Sequence, residues 1–165
     1  YAVEGYPLNK MTYDNQHAWT AYRIGAAFSE TNQLKEAETY YQKAVSLAPY
    51  VLDFRMKLAS VYSSQKEYDS SIFQYEWILN EFPKMESAWC NLGFSYLQKG
   101  NWKKAQECYN QSLELNPKHI QTLLNVAALH LLLNEKEKVV LYLERVLEVY
   151  PNHPKAQTLL KEING

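Results

Sequence analysis

Apolar residues recur along most of this chain at steps of three and four residues, which places them on one face of an α-helix. Polar turns and prolines interrupt the pattern at short intervals, so it predicts short helices. The clearest stretch runs from Glu86 to Pro117 and contains two helical patterns joined by a turn at Lys99, Gly100 and Asn101. The proline closes the second pattern because it cannot continue a helix. The stretch therefore predicts a helical hairpin.

The hairpin pattern returns along the chain with a constant period, equal to the step from Pro49 to Pro83. Four series of equivalent positions show this period: Pro49, Pro83, Pro117 and Pro151; Gly25, Ala59, Gly93 and Ala127; Phe28, Tyr62, Tyr96 and His130; and Tyr41, Tyr75, Tyr109 and Leu143. The small residues let the two helices of a hairpin approach closely, and the large ones fill the space between hairpins. A single hairpin cannot bury both faces, so the period predicts an all-α array of stacked hairpins.

The third hairpin carries seven residues that resemble the signature of the tetratricopeptide repeat: Trp89, Leu92, Gly93, Tyr96, Ala105, Tyr109 and Pro117. The resemblance implies a right-handed superhelical solenoid of tandem hairpins, with four repeats at about residues 18–51, 52–85, 86–119 and 120–153. The second repeat has Arg55 and Ala59 in place of the signature tryptophan and glycine. The fourth repeat departs furthest from the signature.

The two ends of the chain differ in pattern. Residues 1–13 contain Gly5 and Pro7 without a helical period, so we expect an irregular leader or linker there. Asp14 is then the expected N-cap of the first helix, and the repeat domain is predicted to span residues 14–165. An apolar stripe within residues 154–164 predicts a capping helix that covers the open face of the last repeat: Ala156, Leu159, Leu160 and Ile163.

Composition narrows the class of function. The chain has 17 basic and 18 acidic residues, so neither a nucleic acid nor an anionic membrane surface is favoured as a partner. No apolar stretch is long enough to span a membrane. Cys90 and Cys108 are expected to be buried small hydrophobes, although a disulfide stays open. We expect a soluble protein; the cytoplasm is slightly favoured, and a periplasmic or other extracytoplasmic location stays open.

The sequence shows no motif typical of a catalytic, cofactor-binding or metal site. No nucleophile motif, metal-ligand set or phosphate-binding loop occurs, so no enzymatic activity, cofactor or metal is expected. The four histidines are scattered over different repeats. His130 stands in an aromatic core series, which favours a packed imidazole over a metal ligand.

The resemblance implies that the first helix of each hairpin lines a concave, partner-binding groove. Ten residues in that register are the candidate site: Trp19, Tyr22, Arg23, Lys57, Asn91, Phe94, Leu97, Leu124, Asn125 and Leu131. One series among them offers a hydrogen-bond donor at the same position of every repeat, namely Arg23, Lys57, Asn91 and Asn125. Such a row of donors suits an extended peptide backbone. The apolar members suit anchoring side chains of a partner. Solvated polar positions, and packing against neighbouring helices, are the alternative explanations.

The leading functional hypothesis is a scaffold that binds an extended or helical segment of a partner protein in the groove. A carboxylate clamp of the chaperone-binding kind is not expected, because its lysine, asparagine and arginine positions are not matched. The alternatives are a structural module that self-associates through the ends of the array, or a docking module of a larger protein. That larger protein could be an enzyme with this segment as its recognition arm.

Overall fold

The computed structural model describes the backbone of residues 8–164 and the side chains of residues 15–163, and every regular element in that part is helical. The helices are α1 (Leu8–Glu30), α2 (Leu34–Leu47), α3 (Leu52–Ser64), α4 (Tyr68–Glu81), α5 (Glu86–Gln98), α6 (Trp102–Leu115), α7 (Ile120–Leu132), α8 (Lys136–Val149) and α9 (Pro154–Asn164). The predicted all-α hairpin fold is confirmed.

The helices follow the period of the sequence. The odd-numbered helices from α3 to α9 begin one period apart, and so do all of the even-numbered helices. Each even-numbered helix from α2 to α8 is separated from the next helix by four residues, which include the periodic proline. The limits assigned to each repeat from the sequence stay a prediction.

The first helix begins earlier than the sequence predicted. Residues 8–13 belong to α1, whereas they were expected to be irregular, and Asp14 lies inside the helix and is not its N-cap. The expectation failed because only Gly5 and Pro7 break helices in this region, and both precede Leu8. Residues 1–7 of the expected leader lie outside the described residues.

Every hairpin turn uses the same backbone geometry. One residue per turn has a positive φ: Asn32 at 59°, Lys66 at 64°, Gly100 at 76° and Asn134 at 57°. The amide that follows it donates to the carbonyl five residues earlier, as from Asn101 to Tyr96 at 2.9 Å. This arrangement is a Schellman motif, which satisfies the last carbonyls of the first helix and reverses the chain.

Contacts divide the chain within α4 into two compact units, residues 1–78 and 79–165. In the first unit, buried residues of α1 and α2 pack against α3 around Phe54 and Leu58. In the second unit, the cluster around Leu123 and Leu143 joins α7 and α8 to α9. Ala156 of α9 is buried in this cluster, and its other apolar residues pack against it.

Two glycines permit the close approach of helices within hairpins. A Cβ built on Gly93 would lie 2.6 Å from Cε1 of Tyr109, and one on Gly25 would lie 3.0 Å from Cδ1 of Tyr41. Both tyrosines are almost fully buried, so their rings have little freedom to move away. The glycines and tyrosines of the period therefore form matched pairs across each of these hairpins.

The periodic prolines share a second feature that the sequence did not reveal. A side chain six residues later donates to the proline carbonyl: Trp89 Nε1 to Pro83 at 2.8 Å, and Arg55 Nε to Pro49 at 3.0 Å. Gln157 does the same for the carbonyl of Pro151. Arg55 thus replaces the hydrogen bond of the signature tryptophan, and its guanidinium also lies 3.7 Å above the ring of Trp77.

Glu135 links the end of α7 to the start of α8. Its Oε2 atom lies 2.6 Å from Nδ1 of His130, and Lys138 Nζ donates to both carboxylate oxygens at 3.1 Å. The hydrogen bonds from Lys138, and then that with His130, hold the pKa of Glu135 below its ordinary value. His130 is buried and stacked on Tyr142, which confirms the packed imidazole predicted from the sequence.

This cluster predicts a specific acid sensitivity. Because the pKa of Glu135 is lower in the folded chain, its ionised form stabilises the fold at neutral pH, and that contribution is lost as the pH falls below about 4.3. We expect the melting temperature of the parent protein to fall more steeply than that of a Glu135→Gln variant on going from about pH 5 to about pH 3. The control is Glu137→Gln, which changes an exposed glutamate of α8 and should keep the parental slope. Equal slopes for the parent and Glu135→Gln would contradict the prediction.

Candidate protein-binding faces

The candidate residues of the first unit lie on α1 and α3. We call Trp19, Tyr22, Arg23 and Lys57 the α1–α3 face. The side chains of Arg23 and Lys57 are exposed, Trp19 is about half exposed, and Tyr22 is partly buried. The face therefore offers two cations and two aromatic side chains to a partner.

Phe54 of α3 orders the aromatic side chains of this face. The ring of Trp19 meets the rings of Tyr22 and Phe54 edge-on, with centroid separations of 5.4 Å and 4.9 Å. Burial, and then the nearby charge of Asp53, raises the pKa of the Tyr22 hydroxyl, which stays protonated at neutral pH. One side of the Trp19 ring thus packs on aromatic side chains of its own unit, and the rest of the ring is exposed.

The candidate residues of the second unit lie on α5 and α7, which pack against each other. We call Asn91, Phe94, Leu124, Asn125 and Leu131 the α5–α7 face. Leu131 is 51% exposed and Phe94 is 36% exposed, whereas Leu124 is partly buried against the core cluster of this unit. Both asparagines are partly exposed. The structure thus presents amide and apolar groups on a pair of neighbouring helices.

The two asparagines of the α5–α7 face differ in their hydrogen bonds. Asn125 Nδ2 donates to Sγ of Cys90 at 3.4 Å, and its Oδ1 accepts from Gln121 at 3.0 Å, so its amide is already partly engaged. Among the described residues, the side chain of Asn91 has no hydrogen-bond partner, so both of its polar groups are available. Burial raises the pKa of the Cys90 thiol, which stays a neutral acceptor between the two helices.

Leu97 does not belong to the binding face. It was expected there because it shares a register with Leu131, but it is only 7% exposed and lies in the interior. Register fixes the height of a residue on its helix, whereas burial depends on the side chains that surround it, and these differ from repeat to repeat. An apolar anchor at this position is therefore withdrawn.

The described helices define a class of protein, namely an all-α array of helical hairpins that recur with a constant period. Two tetratricopeptide repeat models match the chain, over residues 20–50 and 87–119. The chain belongs to the tetratricopeptide repeat family. Among the described residues, no helix is both long and apolar enough to cross a bilayer.

Similar proteins and structures agree with this family. The chain is 25% identical over 99 residues to the general transcriptional corepressor ssn6 of Schizosaccharomyces pombe, a match that covers 60% of this chain and 9% of that relative. A thermophilic TPR protein of Thermus thermophilus shares the fold with a TM-score of 0.76 at 16% identity, over 88% of this chain and 80% of that one. The first TPR of Spaghetti, bound to an HSP90 peptide, has a TM-score of 0.67 at 18% identity and covers 73% and 95% of the two chains. The chain therefore spans about a tenth of the length of the first of these relatives.

Proposed function

We propose that this chain is a non-enzymatic interaction module that binds an extended or helical segment of a partner protein on its first-helix faces. Tetratricopeptide repeat proteins generally mediate protein–protein interactions, and the Spaghetti domain of the same fold holds a peptide. The two faces defined above differ in chemistry, so we propose a different part of the partner segment for each.

The α5–α7 face carries the proposal. It combines the free amide group of Asn91 with exposed apolar side chains, and none of its five residues is charged. Asn91 can donate to a backbone carbonyl and accept from a backbone amide at the same time, which is what an extended segment or a helix end requires. Phe94 and Leu131 lie on the two neighbouring helices of this face and offer apolar contact area to side chains of the same segment.

The α1–α3 face supports a second contact of different chemistry. Arg23 and Lys57 are both exposed cations, so the proposed partner carries acidic groups where it meets this face. Trp19 is held by Phe54 before any partner binds, and this reduces the entropy cost of ordering the indole on binding. This arrangement is typical of an aromatic anchor at an interface.

The test is a double replacement, Asn91→Ala with Asn125→Ala. Peptides selected on the parent protein from a phage-displayed random library serve as the probe, and isothermal titration calorimetry measures their affinity. We expect the double variant to bind them about tenfold more weakly or worse, because each lost hydrogen bond contributes about 1 kcal/mol. The single variant Asn91→Ala should lose part of that affinity and keep the Cys90 contact of Asn125.

The matched control is Asn110→Ala, which removes an exposed asparagine from the second helix α6 of the same unit. It should bind the selected peptides with parental affinity, and thermal melting should show all variants folded. Selected peptides that bind the parent and both asparagine variants equally would overturn the assignment of the α5–α7 face.

A further inference from the structure

The outer face of α1 is an apolar surface outside the proposed binding faces. Two adjoining grooves follow it, with volumes of about 540 Å³ and about 260 Å³. Thr20 and Ile24 line both grooves, and Ala27 lines the larger one. Thr20 and Ala27 are exposed, and Ile24 is 36% exposed. We call these three residues the outer face of α1.

The equivalent residues of the next hairpin are buried. Phe54, Leu58 and Val61 of α3 stand one period after the outer face of α1, and all three are buried. Phe54 packs in a cluster with Ala44 of α2 and with Ala48, which directly follows α2. The other two pack in a cluster with further residues of α2, which include Ala37 and Tyr41. This face of a first helix therefore receives the second helix of the preceding hairpin.

The second unit repeats the arrangement. Thr122, Val126 and Leu129 of α7 occupy the same register and are buried. The hydroxyl of Thr122 lies 2.7 Å from the hydroxyl of Ser112, which belongs to the preceding second helix α6. The outer face of α1 thus has the form of a surface that accepts one helix.

The chain does not supply that helix by its usual connection. Four residues, such as 48–51, separate each second helix from the first helix that follows. The equivalent residues are 14–17, and they are helical and belong to α1 itself. This helix begins at Leu8, whereas the position equivalent to Leu52, the first residue of α3, is Ala18. This extension carries the backbone about 15 Å along the helix axis. A helix on the outer face of α1 would therefore arrive by a route other than this four-residue connection.

Packing elsewhere in the chain indicates the size of the side chains that fit. The large Phe54 is matched by the small Ala44 and Ala48, whereas the small Ala156 of α9 is matched by the larger stripe of α8: Val139, Leu143 and Val146. Thr20 and Ala27 are small like Ala156 and leave similar room. The complementary helix therefore carries valine and leucine at the positions that face Thr20 and Ala27.

The rims of the two grooves are basic. Arg23 lines the larger groove and Lys43 lines the smaller one, and both side chains are exposed. Acidic residues beside the apolar stripe of an incoming helix would meet these cations. Binding should then weaken as the salt concentration rises, because the pairs lie at the solvated rim.

We propose that the outer face of α1 is a docking site for an amphipathic helix of a different protein, with a valine- and leucine-rich stripe and acidic flanks. The docked helix takes the place that a second helix takes in the later hairpins. This contact is separate from the α5–α7 and α1–α3 faces, except that Arg23 borders both surfaces of α1.

A stapled synthetic peptide with the sequence of residues 135–150 is the probe, since it carries the α8 stripe with glutamates beside it. We expect saturable binding to the full chain with a Kd below about 1 mM, and amide shifts of Thr20, Ile24 and Ala27 in nuclear magnetic resonance spectra. An Ala27→Arg variant, which fills the larger groove from an exposed position, should weaken binding about tenfold or more.

The matched control is Ala128→Arg, which places the same side chain at an exposed position of α7. It should leave the affinity for this peptide unchanged. Absence of saturable binding, or equal affinity of both arginine variants and the parent, would overturn the proposal. Sedimentation that shows a dimer of the parent and a monomer of Ala27→Arg would also overturn it, because a second copy would then cover the face.

Discussion

Replacing Gly93 by leucine is expected to lower the free energy of unfolding by on the order of 1–3 kcal/mol through overpacking of the third hairpin. A Cβ at this position lies 2.6 Å and 2.7 Å from two ring carbons of Tyr109 and 3.2 Å from the carbonyl oxygen of Ala105. The tyrosine is fully buried and the carbonyl belongs to the α6 backbone, so neither can yield without moving the helix. Urea denaturation of the parent and the variant measures the difference.

Two further variants separate the clash from other effects of losing a glycine. Gly25→Ala and Gly93→Ala gain the same helix propensity, but the Cβ contact at Gly25 is longer, 3.0 Å from Tyr41, so Gly93→Ala should be the less stable of the two. The fourth hairpin already packs Ala127 in one cluster with Leu143. Gly93→Ala with Tyr109→Leu recreates that pair and should recover part of the loss. Parental stability of Gly93→Leu would show that the assigned register is wrong.

Removing the hydroxyl group of Tyr109 is expected to raise stability by about 1 kcal/mol. The oxygen is buried and has no hydrogen-bond partner among the described residues. Burial, and then the neighbouring thiols Cys90 and Cys108, raises the pKa of this hydroxyl far above its ordinary range. The phenylalanine ring fills the same space without an unsatisfied polar atom, so Tyr109→Phe should melt at a higher temperature than the parent.

Tyr41 provides the matched comparison because it occupies the same register in the first hairpin. Its hydroxyl, unlike that of Tyr109, is not a buried oxygen without a partner, and the side chain of Ser29 interacts favourably with its ionised form. Tyr41→Phe should therefore bring no gain, since it relieves no unsatisfied buried oxygen. If Tyr109→Phe were less stable than the parent while Tyr41→Phe were neutral, the prediction would be contradicted.

Periodicity predicted the hairpins well because it reports packing that every repeat must satisfy. The Gly93 series was assigned to the close approach of helices within a hairpin, and the structure confirms this. The Tyr109 series was assigned to the space between hairpins, whereas its ring packs on Gly93 within its own hairpin. The early start of α1 was missed because residues 8–13 carry no apolar stripe, and a helix without a stripe resembles a linker in sequence.

The candidate site was less predictable than the fold. Leu97 and Leu131 share a register but not their exposure, because each is surrounded by different side chains. The role of Arg55 was also hidden, since donation to a proline carbonyl requires an N–H group at the right height and no particular residue type. In the fourth hairpin Leu123 has no such group, and Arg145 of α8 donates to Pro117 instead, at 3.1 Å.

The turn at Lys66 carries a cost that its three counterparts avoid. Glycine and asparagine tolerate the left-handed backbone conformation, but lysine at a φ of 64° costs about 1 kcal/mol more than glycine would. A single exchange to Asn or Gly would thus restore stability at a site remote from the binding residues of either unit. A lineage that changes a binding residue at some loss of stability has a compensating mutation within reach, so its recognition surface is free to diverge while its scaffold persists.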